Sequence, residues 1–369
     1  MHISRSRRTV SVALLAMALI PATLTTATAA ESPSPVMPPV TTGVQADDAQ
    51  SVRDFWTPAR VKKAVANEPK DNAAFARKAK AVTEPAKGAA KETDWGLKAE
   101  AQRILPTGKT TFAASADGVP EMPVAREVPF PQSAPAVVVG KILFIDKAGQ
   151  EHGCSGASVV SRSGNTVWTA GHCIHPGDGS GADGFYEKIT FIPGFKKNAG
   201  SPDGYDAPWG KWTATKKVAP TEWTADGDFE DADMAAFNVA VPSGYTSLTA
   251  AVGGMGYRFG AGSDFPDVID SGFPGEGYNR TDMDGFKQFY CTGNAEDASN
   301  WNPLDDRVKV DCDMGKGASG GPIATPEAQI ISANSHYETE DDGVTRKNDD
   351  LFGSEHGDNA VAVINEINK

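Results

Sequence analysis

The sequence predicts an all-β fold, a sandwich or a barrel, over its C-terminal two-thirds, and three observations lead to it. From residue 136 onward, short runs rich in β-branched and aromatic residues follow one another. Gly, Pro, Asn and Asp separate them at short intervals. Helical spacing returns only in the last dozen residues.

From the N-terminus, a positive stretch (MHISRSRR) precedes an apolar one (TVSVALLAMALIPATL) and a run of small residues (TATAA). That order is the pattern of a secretory leader, with cleavage expected between Ala29 and Glu31. Its apolar core falls short of the ~20 residues that a membrane span needs. No later run is more apolar, so a soluble, secreted, extracellular protein without a membrane partner is expected. Residues 31–50, rich in Pro, Ser, Thr and Ala, are expected to be disordered. In residues 51–105, DFWTPARVKKAVANEP and DNAAFARKAKAV space their apolar residues for two or three weak helices. A stretch with six prolines, PTGKTTFAASADGVPEMPVAREVPFPQSAP, reads as a cleavable linker.

The strand candidates then follow as AVVVGKILFID, ASVVS, NTVWTA, KITFIPGF, WGKWTATKKVAP, MAAFNVAV, GFKQFYCTG, RVKVDC, GPIAT and QIISANS. A final helix is expected in DNAVAVINEINK, capped by Asp358 or Asn359, with Val361, Ile364 and Ile367 on one face. The chain therefore divides into a leader at 1–30, a partly helical or disordered pro-region and linker at 31–126, and a β-rich domain at 127–369 large enough for its own core.

Residues 31–126 carry 14 Lys and Arg against 12 Asp and Glu, whereas residues 127–369 carry 18 against 36. An acidic domain disfavours nucleic acid as a partner, because phosphates demand basic patches. All four cysteines, Cys154, Cys173, Cys291 and Cys312, lie in this acidic part. An even count in an exported chain implies two disulfides, with three pairings open. The sequence-local choice, Cys154 with Cys173 and Cys291 with Cys312, closes two short loops, each worth roughly 3 kcal/mol in the loop-entropy model. A zinc site is disfavoured because no CxxC pair is present.

Three residues stand out for chemistry. His172, in VWTAGHC, follows a strand and precedes a cysteine, with small residues leaving room for its ring. Ser319 sits in GKGASGGP, where glycines permit a tight loop whose Gly317 and Ser319 N–H groups converge as an oxyanion hole. A serine hydroxyl needs a base, and the base needs a buried acid to fix its tautomer. In DGDFEDADMAAFNVAV, Asp226, Asp228, Glu230 and Asp231 read as a solvated loop or a weak calcium site. Asp233 stands where a strand enters the core, so its carboxylate must find a partner.

CSGASVVSRSGNTVWTAGHC, DADMAAF and GKGASGGP resemble, in order, the His, Asp and Ser blocks of the chymotrypsin-like serine peptidases. The resemblance spans roughly 137–369. With DSGFPGEGY and VDCDMGKGASGGP it is closer to the secreted bacterial V8-like, or glutamyl endopeptidase, branch. It implies a double six-stranded antiparallel β-barrel with the site in the cleft between barrels. It also implies a disulfide from Cys154 to Cys173, His172 as base, Asp233 as its orienter, Ser319 as nucleophile, and Gly317 and Ser319 as oxyanion donors. No cofactor or metal is implied. The implied activity is peptide-bond hydrolysis on protein or peptide substrates by a monomer.

The chain departs from many animal members at Ala318, where they carry an acid that pairs with a new N-terminus. Activation by that ion pair is not expected, and the basic pro-region is expected instead to dock on the acidic domain and block the cleft. Asp313, six residues before Ser319, is placed to attract a basic P1 side chain, while Ser332, Ser335 and His336 in IISANSHYE are the candidates for binding an acidic one. Ser332 is also expected near the buried acid. The alternative to an enzyme is a catalytically silent relative that binds extracellular partners. An α/β-hydrolase esterase is set aside because it expects GxSxG and a serine that precedes its acid and histidine.

Overall fold

The computed structural model describes residues 37–67, 122–301 and 305–369. The leader, the segment DNAAFARKAKAV and most of the proline-rich linker lie outside them.

Within the stretch 31–50, expected to be disordered, the described residues 37–50 instead carry regular structure. Strand β1 (Val40–Val44) is followed by helices α1 (Ala49–Phe55) and α2 (Pro58–Ala66). Asp48 caps α1 by accepting from the Gln50 and Ser51 N–H groups, and Thr57 caps α2 ahead of a proline at its first position. The helices bury Val52, Trp56, Val61 and Ala64, and the Trp56 indole N–H donates to the Lys188 carbonyl at 2.7 Å. Arg60 and Lys63 both pair with Glu151. Strand β2 (Met122–Glu127) lies within the expected linker.

The first barrel is built from β3 (Val139–Ile145), β4 (Glu151–Val159), β5 (Thr166–Thr169) and β6 (Glu187–Pro193), and, after a small hairpin of β7 (Lys196–Lys197) and β8 (Tyr205–Asp206), from β9 (Trp212–Pro220) and β10 (Ala235–Val239). Pairing runs β3–β4–β5–β10–β9–β6 and closes from β6 back to β3. Strand β1 extends β9, with Val40 opposite Pro220. Inside lie Ile142, Phe144, Val167, Phe191, Trp212 and Phe237. Strand β3 shows no alternation because its other face is covered too: Val139 and Leu143 join the core shared with α1 and α2.

The second barrel follows the short β11 (Gly256–Tyr257). It comprises β12 (Phe265–Gly272), β13 (Phe289–Asp297), β14 (Val308–Asp311), β15 (Pro322–Ala324), β16 (Gln329–His336) and β17 (Asp350–Gly353). The order β16–β15–β12–β13–β14–β17 closes through β17 and β16, and β2 adds to β13. The two closed six-stranded antiparallel barrels and the C-terminal helix are the architecture expected from the sequence. That helix, Asp358–Ile367, buries Val361, Ile364 and Ile367, but neither expected residue caps it. Gly357 occupies the cap position, and the Asn359 amide N–H donates instead to Glu222 and to the Asp231 carbonyl. The disulfides are Cys154–Cys173 and Cys291–Cys312, one in each barrel. Among the described residues, no helix is long and apolar enough to cross a membrane.

Candidate active site

Strand β5 ends at Thr169, and the chain tightens into a 3-10 turn, Gly171–Cys173, that carries His172. The Cys154–Cys173 bridge ties this turn to β4. Asp233 lies two residues before β10, the partner of β5, so sheet pairing brings acid and histidine to the same end of the barrel. The Asp233 carboxylate is fully buried and accepts from His172 twice: from its backbone N–H at Oδ1 and from Nδ1 at Oδ2, both at 2.8 Å. Ser335 Oγ donates to the same Oδ2 at 2.5 Å. Burial pushes the Asp233 carboxyl up, but its charge interaction with His172 and the hydrogen bonds from His172 and Ser335 outweigh burial and hold it below the usual carboxylate range.

Ser319 is delivered by a loop in which Gly317 and Gly320 take φ of 90° and 78°, values that L side chains rarely adopt. Ser155 clamps this loop. Its N–H donates to the Ser319 carbonyl and its Oγ to the Gly317 carbonyl, each at 2.7 Å, and its Oγ accepts from Phe273 N–H. The Ala318, Gly320 and Gly321 N–H groups donate to the carbonyls of Gly315, Asn334 and Ala318. Among the described residues, Gly317 and Ser319 N–H have no such internal acceptor. The loop also abuts the histidine turn: a Cβ on Gly320 would lie 2.0 Å from Thr169 Oγ1 and 3.0 Å from Ala170 N. Ser319 Oγ faces the Ser335 carbonyl at 3.5 Å. Ser335 thus touches Asp233 through its side chain and Ser319 through its backbone.

The other candidates fall in different places. Ser332 is one step removed from the acid: its Oγ donates to the Ser354 carbonyl, and Ser354 Oγ accepts from Asp233 N–H. Asp313 accepts from Ala125 N–H at 2.8 Å and pairs with Arg280 at 3.1 Å. His336 shares one hydrogen bond with Ser335 and another with Arg307, and its ring stacks on Phe352. Burial, reinforced by the Arg307 charge, pushes its imidazole down to about 3. Nothing in SGAS, YNRTD, DDRVK or FGSEH marks Ser155, Arg280, Arg307 or Ser354 apart from ordinary surface residues. Two clusters bring potential metal ligands together, Cys154–His172–Cys173 and Cys291–Cys312–Asp313, but their sulfurs are oxidised to disulfides and offer no thiolate.

Two closed barrels with this element order form the chymotrypsin fold. Among solved structures, the chain is similar to the protease Anisep from Arthrobacter nicotinovorans, at 27% identity and a TM-score of 0.53, over 64% of this chain and 97% of Anisep. It is also similar to the thermostable serine protease AL20 from an extremophilic microorganism, at 25% identity and a TM-score of 0.50, over 63% of this chain and 98% of that one. A Glu endopeptidase aligns at 18% identity and a TM-score of 0.48. No family model matches the sequence, and no curated protein matches it.

Proposed function

We propose that the chain is a secreted serine endopeptidase. The observation that carries this is the buried Asp233 carboxylate, which accepts from both His172 N–H donors while Ser335 links it to the nucleophile loop. Two fold neighbours at 25% identity or above, one described as a protease and the other as a serine protease, support it.

In this mechanism Ser319 Oγ attacks the scissile carbonyl as His172 takes its proton. The Gly317 and Ser319 N–H groups receive the oxyanion. His172 then returns the proton to the leaving amine, and water releases the acyl group from Ser319. Asp233 holds the Nδ1–H tautomer and offsets the charge of the imidazolium. No cofactor takes part. Two disulfides and the leader pattern support export, and residues 31–126 are a pro-region in the same chain. The V8-like branch rests on the sequence blocks, to which a match at 18% identity adds nothing.

Labelling with a fluorophosphonate tests the proposal. The processed protein should be modified at Ser319, and Ser319→Ala should be neither labelled nor active on a peptide library. An unlabelled protein with its circular dichroism intact would favour the silent binding relative instead.

A further inference from the structure

The hydrogen bonds of Ser335 have only one consistent direction. Asp233 ionised can only accept, so the single hydroxyl proton of Ser335 goes to Asp233 Oδ2. In its other contact Ser335 Oγ must therefore accept, and the hydrogen belongs to His336 Nδ1, 2.9 Å away. His336 Nε2 is then bare and accepts from Arg307 Nη1 at 2.8 Å, a guanidinium that can only donate. Burial and the Arg307 charge keep the imidazole neutral, as this arrangement requires.

Arg307 is itself held in place. Asp305 engages it through Nε at 2.8 Å and Nη2 at 2.6 Å, and Glu338 accepts from Nη2 at 2.9 Å. Its guanidinium lies over the Phe352 ring, 4.0 Å from the centroid, the same ring on which His336 stacks. With two carboxylates already on Arg307 and both imidazole nitrogens engaged, His336 is committed to the acid of the triad rather than to a substrate side chain.

We propose that His336 and Arg307 are positioning residues for the catalytic acid, forming a one-way hydrogen-bond chain from Arg307 through His336 and Ser335 to Asp233. The proposal rests on the triad assignment above. The chain fixes the Ser335 hydroxyl toward Asp233, so the carboxylate meets His172 in one orientation.

His336→Phe keeps an aromatic ring between Phe229 and Phe352 but removes both polar links. His336→Gln restores them, because the two polar atoms of an amide stand one carbon apart, as the ring nitrogens do. Rates are to be normalised to sites titrated with a fluorophosphonate. The expected result for His336→Phe is a kcat at least about tenfold lower with KM within about twofold, and a shifted proton resonance for His172 Nδ1–H. The Gln variant should recover kcat to within about threefold of wild type. An altered KM with unchanged kcat would mark a substrate contact and overturn the proposal, as would a Gln variant no better than Phe or no change in either. If the Phe variant does not fold, Arg307→Met removes the donor to Nε2 and must lower kcat and move the same resonance; unchanged values overturn the chain. Failure of the wild type to label would instead remove the triad itself.

Discussion

Arg280 closes off Asp313. Its Nη1 lies 3.1 and 3.3 Å from the two carboxylate oxygens and also donates to the Ala125 carbonyl at 2.5 Å, while Ala125 N–H donates back to Asp313 Oδ1 at 2.8 Å. A lysine or arginine arriving at P1 would compete with a guanidinium that is already seated. Strand β2 supplies the third member of this knot, so residues ahead of Glu127 bear directly on the acid that sequence spacing points to for specificity.

Asp313→Asn is therefore expected to act on stability first. It leaves Arg280 with Asp282 as its remaining carboxylate partner and should cost roughly 2–3 kcal/mol, below the full cost of stranding a buried charge. The ratio of kcat/KM for basic over small P1 residues should change by less than about threefold. Thermal unfolding and a P1 peptide panel check both. A collapse of about 100-fold confined to basic substrates would restore Asp313 as the pocket acid.

Asp233→Asn separates charge from shape. An asparagine oxygen can still accept at one position, but its amide would present hydrogens where Oδ2 now accepts from His172 Nδ1 and Ser335 Oγ. The favoured histidine tautomer is then the wrong one for a base. The expected outcome is a kcat about 10⁴-fold lower with the fold retained. Stopped assays with a sensitive peptide substrate and a circular dichroism spectrum measure it.

The barrels were legible where strands are long and apolar, as in KITFIPGF or MAAFNVAV. Strand β12 was not, because Pro266, a positive φ of 57° at Asp267 and the buried Asp270 break its pattern. Strand β17 has only four residues within an acidic run, and β1 hides in a Pro- and Thr-rich stretch that becomes a strand only because β9 offers an edge. At the site, the sequence marks His172 and Asp233 by their places beside strands and Ser319 by its glycine-rich loop. Which serine of ISANS meets the acid was not readable. Ser332 and Ser335 fall on opposite faces of a regular strand, and the pairing of β16 with β17 shifts register between Asn334 and His336. The arginines that close Asp313 and His336 come from distant segments, so no local pattern could announce them.

The N-terminal segment is expected to behave as part of the barrel. Trp56→Ala removes a fully buried indole and its bond to Lys188 and should destabilise by about 3–5 kcal/mol. In a chain beginning at Glu127, adding a peptide of residues 37–67 should raise the melting temperature in proportion to its occupancy. An inhibitor docked in the cleft would lower activity in that experiment without requiring Trp56. Comparing the native peptide with its Trp56→Ala form, by melting temperature and by rate, separates a structural strap from a plug.

Asp270 gives the protein a pH signature. Its Oδ1 accepts from Asn334 Nδ2 at 2.6 Å, while Asp270 Oδ2 and Asn334 Oδ1 are buried with no hydrogen-bond partner among the described residues. Burial pushes the Asp270 carboxyl up to about 7, against the lowering effect of Asn334. The unfolded chain loses this proton near pH 4, whereas the folded chain keeps it until about pH 7. In that window the native state holds more protons, so this group makes stability fall as pH rises, with the loss complete above the folded value. Asp233 and Glu151, both held low, act in the opposite sense and lose their contribution as pH falls through their folded values. Asp270→Asn leaves those groups in place, keeps the acceptor for Asn334 and adds an N–H facing the unpartnered amide oxygen. The variant should melt at a higher temperature than wild type at pH 8, with the gap narrowing steadily toward pH 4. Melting curves across that range decide it, and a gap independent of pH would mean that Asp270 is ionised in the folded protein throughout.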